Sequence, residues 1–450
     1  PILMGITGTI LVFWSLSGFI LQVVQSIKNI YLNGTNMFVL RQINSKINTT
    51  VISMSVICLM LFMTISILSS SLSLRNTMQR ELVEMTPVDL NLYKTANLPE
   101  SYMKYGKEVR PTKEQREDSK IAITETLKNN GLDINVLKDV VEIPIYATEE
   151  WTWGDSLGDK IQSPANNDTA EELIKISDYN KIAKIYRLEQ YELKDDEYMI
   201  VCDFDNMVGI RNLALQYKNT MTINGKEYHA KYTECKEGYV KMSTSHTNTG
   251  IILLPDSANL KEEWKEQYLL VANYNSRNDK EKEEIEKIFA DNNSTLLQNL
   301  EKQRLVIDGM SKISLIESSV GLSTIIVFIA IYLGIIFLIA SAAILALKQL
   351  TESSDNKQRY TILRKIGCDE KMINKALFRQ IGIFFGLPLI LAIIHSIFGI
   401  QFAMTVMEGL ASSEDLLPSI VATVVIIGAI YGAYFIATYL GSKNIIKEEE

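Results

Sequence analysis

Three histidines, four cysteines and one basic run with an apolar stripe are the residues from which this chain could build chemistry. His229, His246 and His395 are scattered, with no His-Glu-x-x-His pattern and no closely spaced Cys/His set, so the ligand spacing of a zinc site is missing. No G-x-x-x-x-G-K-[ST] run occurs. The chain therefore lacks the loop that cradles the phosphates of ATP and cannot hydrolyse ATP by that route. His395 stands in the apolar stretch Ala392-Ile-Ile-His-Ser396, where an ionisable group is either a functional site or a neutral imidazole bonded to a neighbouring helix. The basic run is the most informative piece: Asp355-Asn-Lys-Gln-Arg-Tyr-Thr-Ile-Leu-Arg-Lys-Ile-Gly367. Tyr360, Leu363 and Ile366 recur at helical spacing, Arg359, Arg364 and Lys365 supply charge, and Gly367 stops the helix. Such a helix fits a protein partner, with contact to an anionic membrane surface as the competing use. A second helix, Lys371 to Gln380, follows it.

The elements that position this run are apolar. Charge-free stretches cover 1–27, 47–74, 318–347, 380–407 and 416–442, and each exceeds the roughly 20 residues that cross a hydrocarbon core. The averages of 47% hydrophobic and 22% charged residues hide this segregation. A soluble enzyme is excluded. Residues 75–317 hold 32 Lys and Arg against 43 Asp and Glu, a net −11, while the remainder sums to +3; so acidic a domain makes nucleic acid an unsuitable partner. Segment 28–46 contains Lys28, Arg41 and Lys46 and no acid, 348–379 holds eight basic residues against four acids, and 408–415 has three acids and no base. Basic loops stay in the cytoplasm. That rule places 28–46, 348–379 and the tail 443–450 inside, and 408–415 and 75–317 outside. The expected fold class is an α-helical integral membrane protein of five spans with a large α+β extracellular domain. The chain opens on Pro1 directly in a span, which reads as the C-terminal part of a longer membrane protein.

Between the first two spans, Phe38, Ile43 and Ile47 fall near one face, with Arg41 and Lys46 on another. This pattern suits an amphipathic helix in the inner interface, or simply the start of the second span. The external domain alternates helical and strand-like pieces. Thr112 to Leu127 reads as a capped helix, Ser177 begins another, and Asp279 to Arg304 is a charged helix that could form a stalk together with Arg75 to Met85. Strands are expected at 88–93, 141–148, 197–204, 221–223, 226–233 and 251–254, with Asn224-Gly225 a two-residue hairpin turn. A small insertion is expected around Trp151 to Asn167. The pairs Gly382/Gly386 and Gly428/Gly432 suit close helix packing. Cys58 falls in a span and Cys368 in a cytoplasmic loop, which leaves Cys202 and Cys235 as the one external pair open to a disulfide.

The run Asp355 to Gly367, followed by Phe378-Arg-Gln-Ile-Gly-Ile-Phe-Phe-Gly-Leu-Pro-Leu389 and His395, resembles the FtsX-like permease family of ABC transporters. Within that family the chain is similar to the bacitracin-type (Bce-type) peptide-antibiotic permeases of Gram-positive bacteria. Asn36 to Thr50 carries the same likeness, and Ser177-Asp-Tyr-Asn180 and Asn248 to Asp256 carry it less distinctly. Such permeases have ten spans with the large domain between the seventh and eighth, so these five would be the last five. The resemblance implies a permease subunit, not itself an enzyme, in the bacterial cell membrane. It pairs with a cytoplasmic ABC ATPase that holds ATP-Mg, while the permease binds no cofactor. The coupling loop would be Asp355, Arg359, Tyr360, Leu363, Arg364, Ile366 and Gly367, and the interfacial helix would carry Phe38, Arg41 and Lys46. A peptide antibiotic or lipid-linked cell-wall intermediate would engage the external domain at unknown residues, and a membrane histidine kinase would be a further partner. The alternatives are a lipoprotein-release, macrolide-type or division-type permease, which usually has four spans, or a membrane-anchored receptor with no ATPase.

Overall fold

The computed structural model describes residues 2–27, 31–104, 107–158, 161, 166–302, 307–406 and 416–447. In chain order the elements are α1 (Ile2–Ser26), α2 (Asn36–Glu84), β1 (Leu90–Thr95), β2 (Tyr102–Lys104), β3 (Lys107–Val109), α3 (Lys113–Ser119) and α4 (Ile123–Asn129). Next come β4 (Leu137–Thr152), α5 (Trp153–Leu157), β5 (Ala170–Lys175), α6 (Ile176–Tyr186), β6 (Glu197–Val201), α7 (Asp205–Tyr217), β7 (Thr220–Ile223), β8 (Lys226–Ala230) and β9 (Ile251–Leu254). The chain ends with β10 (Lys265–Tyr274), α8 (Asp279–Ala290), α9 (Thr295–Lys302), β11 (Asp308–Ser311), α10 (Lys312–Asp355), α11 (Lys357–Lys365), α12 (Glu370–Val406) and α13 (Leu416–Ile446). Two units result: a helical one of Pro1–Thr77 and Ser323–Glu450, and a sheet unit of Met78–Leu322.

Among the described residues four stretches are long and apolar enough to cross a bilayer: Thr50–Glu84, Val327–Asp355, Glu370–Val406 and Leu416–Ile446. The first of the five expected spans falls on α1, whose apolar stretch with described side chains is Leu3–Ser15. The helices overrun the charge-free stretches, because charge ends a span without ending a helix. Helix α2 runs 49 residues, about 74 Å at 1.5 Å per residue. Nothing between Asn36 and Glu84 breaks it, since the segment contains neither glycine nor proline. The amphipathic segment expected over 28–46 is therefore not a separate interfacial helix from Asn36 onward; it is the first turns of α2. The Lys46 side chain, the loop 408–415 and the tail beyond 447 lie outside the described residues.

Helix contacts in this unit are close and mostly apolar. Ile57, Leu61, Leu338, Ala342, Ile381 and Phe384 are fully buried in one cluster. Glycine serves this packing at Gly334, where a Cβ would stand 2.8 Å from Leu68, and at Gly399, where it would stand 2.5 Å from Phe62. The pairs Gly382/Gly386 and Gly428/Gly432 do not: a Cβ at any of the four meets nothing within 4 Å. Spacing alone cannot say which face of a helix has a neighbour. His395 meets the Phe62 ring edge-on at 6.2 Å.

The sheet unit is built on nine strands in the order β11-β1-β10-β4-β5-β9-β6-β8-β7. The β5–β9 and β6–β8 pairs are parallel, and the other neighbours antiparallel. Period-two alternation splits each central strand between two cores. In β10, Leu269 and Val271 join one cluster with α6, while Leu270 and Ala272 join another with α4, α8 and α9. That double cover explains why β9 reads Ile-Ile-Leu-Leu with every residue buried. Asn224 and Gly225 take φ of 49° and 73° between β7 and β8, as a type I′ hairpin requires. The Thr112 helix forms with its capping box but stops at Ser119 and restarts at Ile123. The charged segment from Asp279 divides into α8 and α9; Ile285, Ile288, Leu296 and Leu300 lay it on the sheet instead of forming a stalk. Trp151, Trp153 and Leu157 are buried, so the start of the expected insertion belongs to the core. Residues 159–160 and 162–165 of that insertion lie outside the described residues. All four cysteines are free thiols.

Candidate functional site

The α10–α12 connection folds the basic run into a clamped hairpin of helices. Helix α11 begins after Asn356 and ends in a Schellman motif: Cys368 N donates to Leu363 O at 3.1 Å and Gly367 N to Arg364 O at 3.0 Å. Gly367 adopts φ 95°, a conformation costly for any residue with a Cβ. Two residues on, Asp369 Oδ1 accepts from Met372 N at 2.6 Å and caps α12. Arg364 closes the corner, its Nε 2.5 Å from Glu370 Oε1 in the first turn of α12, where the helix dipole also favours the carboxylate.

The predicted stripe divides. Tyr360 is 1% exposed and Leu363 8%, both packed with Val39, Ile373, Ala376 and Leu377. The Tyr360 hydroxyl donates to Gln380 Oε1 at 2.9 Å, and its ring meets Phe38 edge-on at 5.5 Å. Arg379 on α12 donates to the Asn36 side chain at the start of α2. Phe38, Tyr360, Leu363, Arg364 and Gly367 are thus brought together, and they fix α11 rather than offer it. Ile366 is 71% exposed and Ile362 57%, and Asp355, Arg359 and Lys365 are exposed as well. Arg359, Ile362 and Ile366 share one face at helical spacing, so the accessible surface of α11 is a basic and apolar strip. Ile362 escaped the sequence reading, although it lies on the same side of α11 as Ile366. Arg41 is exposed and enters none of these contacts.

The sheet unit contains a cleft of about 350 Å³ between β5, the segments 239–241 and 247–251, Met85, Trp153 and Glu266. Its floor is an ionic lock. Arg211, fully buried on α7, pairs bidentately with Glu171 at 2.5 and 2.9 Å. It also donates to Ser156 Oγ and Thr249 O at 2.9 Å each and stacks 4.2 Å from the Trp153 ring. Gly250 takes φ 134°, and a Cβ there would stand 2.6 Å from Arg211. On the wall, Lys241 Nζ lies 2.6 Å from Glu172. Burial first, and the charge of Glu172 second, hold the Glu266 carboxyl above its ordinary range. None of this was legible beforehand, since the partners lie far apart in sequence.

Beside the cleft, His246 stands between Asp203 (Nδ1 to Oδ2, 3.3 Å) and Glu84 (Nε2 to Oε2, 3.6 Å). The close contact with the Asp203 carboxylate, helped by the charge of Glu81 against the cost of burial, raises the imidazole from 6.5 to about 9. Among the described residues no group of three or more His, Cys, Asp and Glu is placed to hold a metal.

Residues 333–449, which run from α10 through α13, match the FtsX-like permease C-terminal family. The chain is 32% identical over 152 residues to the bacitracin export permease protein BceB of Bacillus subtilis, covering 34% of this chain and 22% of that protein. It is 32% identical over 121 residues to BceB of Halalkalibacterium halodurans, covering 27% and 18%. To the ABC transporter permease protein YxdM of Bacillus subtilis it is 29% identical over 94 residues, covering 21% and 15%. The aligned stretches thus span about a fifth or less of the relatives' own length. The likeness to FtsX-like ABC permeases read from the basic run is borne out, and with the apolar helices it marks a membrane protein.

Proposed function

We propose that this chain is the permease subunit of an FtsX-like ABC transporter that moves an extracellular domain in resistance to, and sensing of, bacitracin-like peptide antibiotics. A separate cytoplasmic ATPase holds ATP-Mg, and this chain binds no cofactor. The observation that carries the reading is the state of α11 inside the matched segment 333–449. Its inner face is clamped by Tyr360, Leu363 and Arg364, while Arg359, Ile362 and Ile366 stand free to meet a partner. A helix fixed on one side and open on the other transmits displacement into α12 instead of absorbing it. On the same reading the sheet unit is extracellular. Its net −11 over 75–317 favours approach of cationic peptides within a Debye length of roughly 8 Å, and its acidic cleft is where a peptide or lipid-linked cell-wall intermediate would be received. The kinase partner belongs to the same proposal.

Arg359→Glu combined with Ile362→Asp changes only the open face. In the host membrane this variant should lose co-purification of the ATPase and fall to the resistance of a strain lacking the permease, with normal membrane levels. Retained ATPase and resistance would overturn the coupling role of α11. A native complex with no ATPase at all would overturn the transporter reading.

A further inference from the structure

Cys202 directly follows β6, and Cys235 lies in the loop beyond β8. The two backbones run side by side: Cys202 N donates to Lys236 O at 2.8 Å, Lys236 N donates to Ile200 O at 2.9 Å, and Val201 and Lys236 form a parallel bridge. Both side chains enter one small cluster with Trp153, Leu157, Met207 and Ala214. Their surroundings differ. Cys202 is 1% exposed, and its Sγ donates to Asn248 O at 3.2 Å. Cys235 is half-buried, with its N–H held by Asn212 Oδ1 at 2.8 Å.

We propose that Cys202 and Cys235 are a redox-active dithiol that closes to an intramolecular disulfide by exchange with a small-molecule disulfide. Exposure assigns the roles. Cys202 is sealed, with its S–H on Asn248 O, whereas Cys235 reaches the surface and its thiol is lowered, by its neighbour Cys202 first and by the Arg211 charge after it. The accessible thiol is therefore the one that ionises, as nucleophilic attack on a disulfide demands. The Cys235 thiolate attacks one sulfur of oxidised glutathione. A mixed disulfide forms, the glutathione S–S bond breaks, and one glutathione thiolate leaves. Cys202 then gives up its proton to solvent, its sulfur bonds to Cys235 Sγ, and the second glutathione thiolate departs. The protein loses two electrons and two protons, and the oxidised glutathione becomes two glutathione thiols. The cross-link ties the loop leading to Tyr239, Val240 and Lys241, one wall of the cleft, to the end of β6.

The test uses the full chain purified in detergent with Cys368→Ser, whose remaining thiols are Cys58, Cys202 and Cys235. After exposure to oxidised glutathione and denaturation, only Cys58 should titrate, and digestion should yield one peptide pair joined through Cys202 and Cys235. Adding Cys202→Ser should leave a stable glutathione adduct on Cys235, whereas adding Cys235→Ser should leave none on Cys202. All three thiols still titrating in the Cys368→Ser chain, a cross-link between chains, or an adduct on Cys202 in the Cys235→Ser variant would each overturn the proposal. The readout is independent of where the sheet unit sits relative to a membrane.

Discussion

The helical unit and the sheet unit solve the same problem, fixing one element against another, with different physics. In the helical unit many hydroxyls stay at home: Ser55 donates to Val51 O, Ser396 to Ala392 O, Thr423 to Ser419 O and Thr438 to Tyr434 O, each four residues back. Among the described residues, polar bonds that cross between helices include Ser69 to Thr423 at 3.1 Å and Tyr431 to Phe385 O at 3.0 Å, and apolar shape carries much of the remaining contact. In the sheet unit the bonds that matter reach across the chain. Lys282 grips Asp89, Glu286 accepts from Ser311 and Tyr274, and Arg211 grips Glu171. The helical unit is therefore sensitive to holes and the sheet unit to orphaned charge.

The sharpest way to break that contrast is Arg211→Ala. Glu171 is 1% exposed and would be left as a buried carboxylate with no counter-ion, a loss of about 3–5 kcal/mol for a broken buried pair. Amide hydrogen exchange on the full chain should show β5, α5 and α7 losing protection while α12 and α13 hold theirs. Equal loss in both units would mean that the two do not differ in kind.

Next in size is the His246 contact. Its raised value means the folded sheet unit prefers the protonated imidazole, facing Asp203, Glu84 and Glu81 with Arg80 and Asp205 nearby. The sign follows: this stabilisation is complete below about pH 6.5, the unfolded value, and is lost as pH rises through about 9, the folded one. Allowing for partial exposure, it amounts to about 2 kcal/mol. Melting of the wild type relative to His246→Gln, followed from about pH 6 to about pH 10, should converge at the alkaline end. A difference that stays constant would remove the charge from the explanation.

What the amino-acid order revealed follows the same division. Apolar length, basic loops, the Gly367 stop, the Thr112 cap and the Asn224-Gly225 turn are local signals, and each was readable within a few residues. The strands β5 and β10 were not: Glu171, Glu172 and Glu266 interrupt their alternation, because each acid has a partner contributed by another segment or a place on the cleft wall. The cleft was invisible for the same reason. In the connection after α10, spacing found the stripe Tyr360, Leu363 and Ile366, yet it could not tell a face that anchors from a face that recruits. That distinction belongs to Phe38 and Gln380, which arrive from α2 and α12.

The smallest effects test whether polar bonds in the helical unit are as modest as the contrast requires. Tyr360→Phe removes one buried hydroxyl and leaves Gln380 Oε1 without its donor. The ring and its packing on Phe38 survive, so the expected loss is about 1 kcal/mol, several-fold below Arg211→Ala. Ile366→Ala, on the open face of the same helix, should stay within about 0.5 kcal/mol of wild type, as a surface change does. Urea unfolding of the detergent-solubilised chain, with exchange protection of α11 read alongside, orders the three variants. If Ile366→Ala costs as much as Tyr360→Phe, Ile366 is part of the helix's own packing, and the strip on α11 is no longer free for a partner.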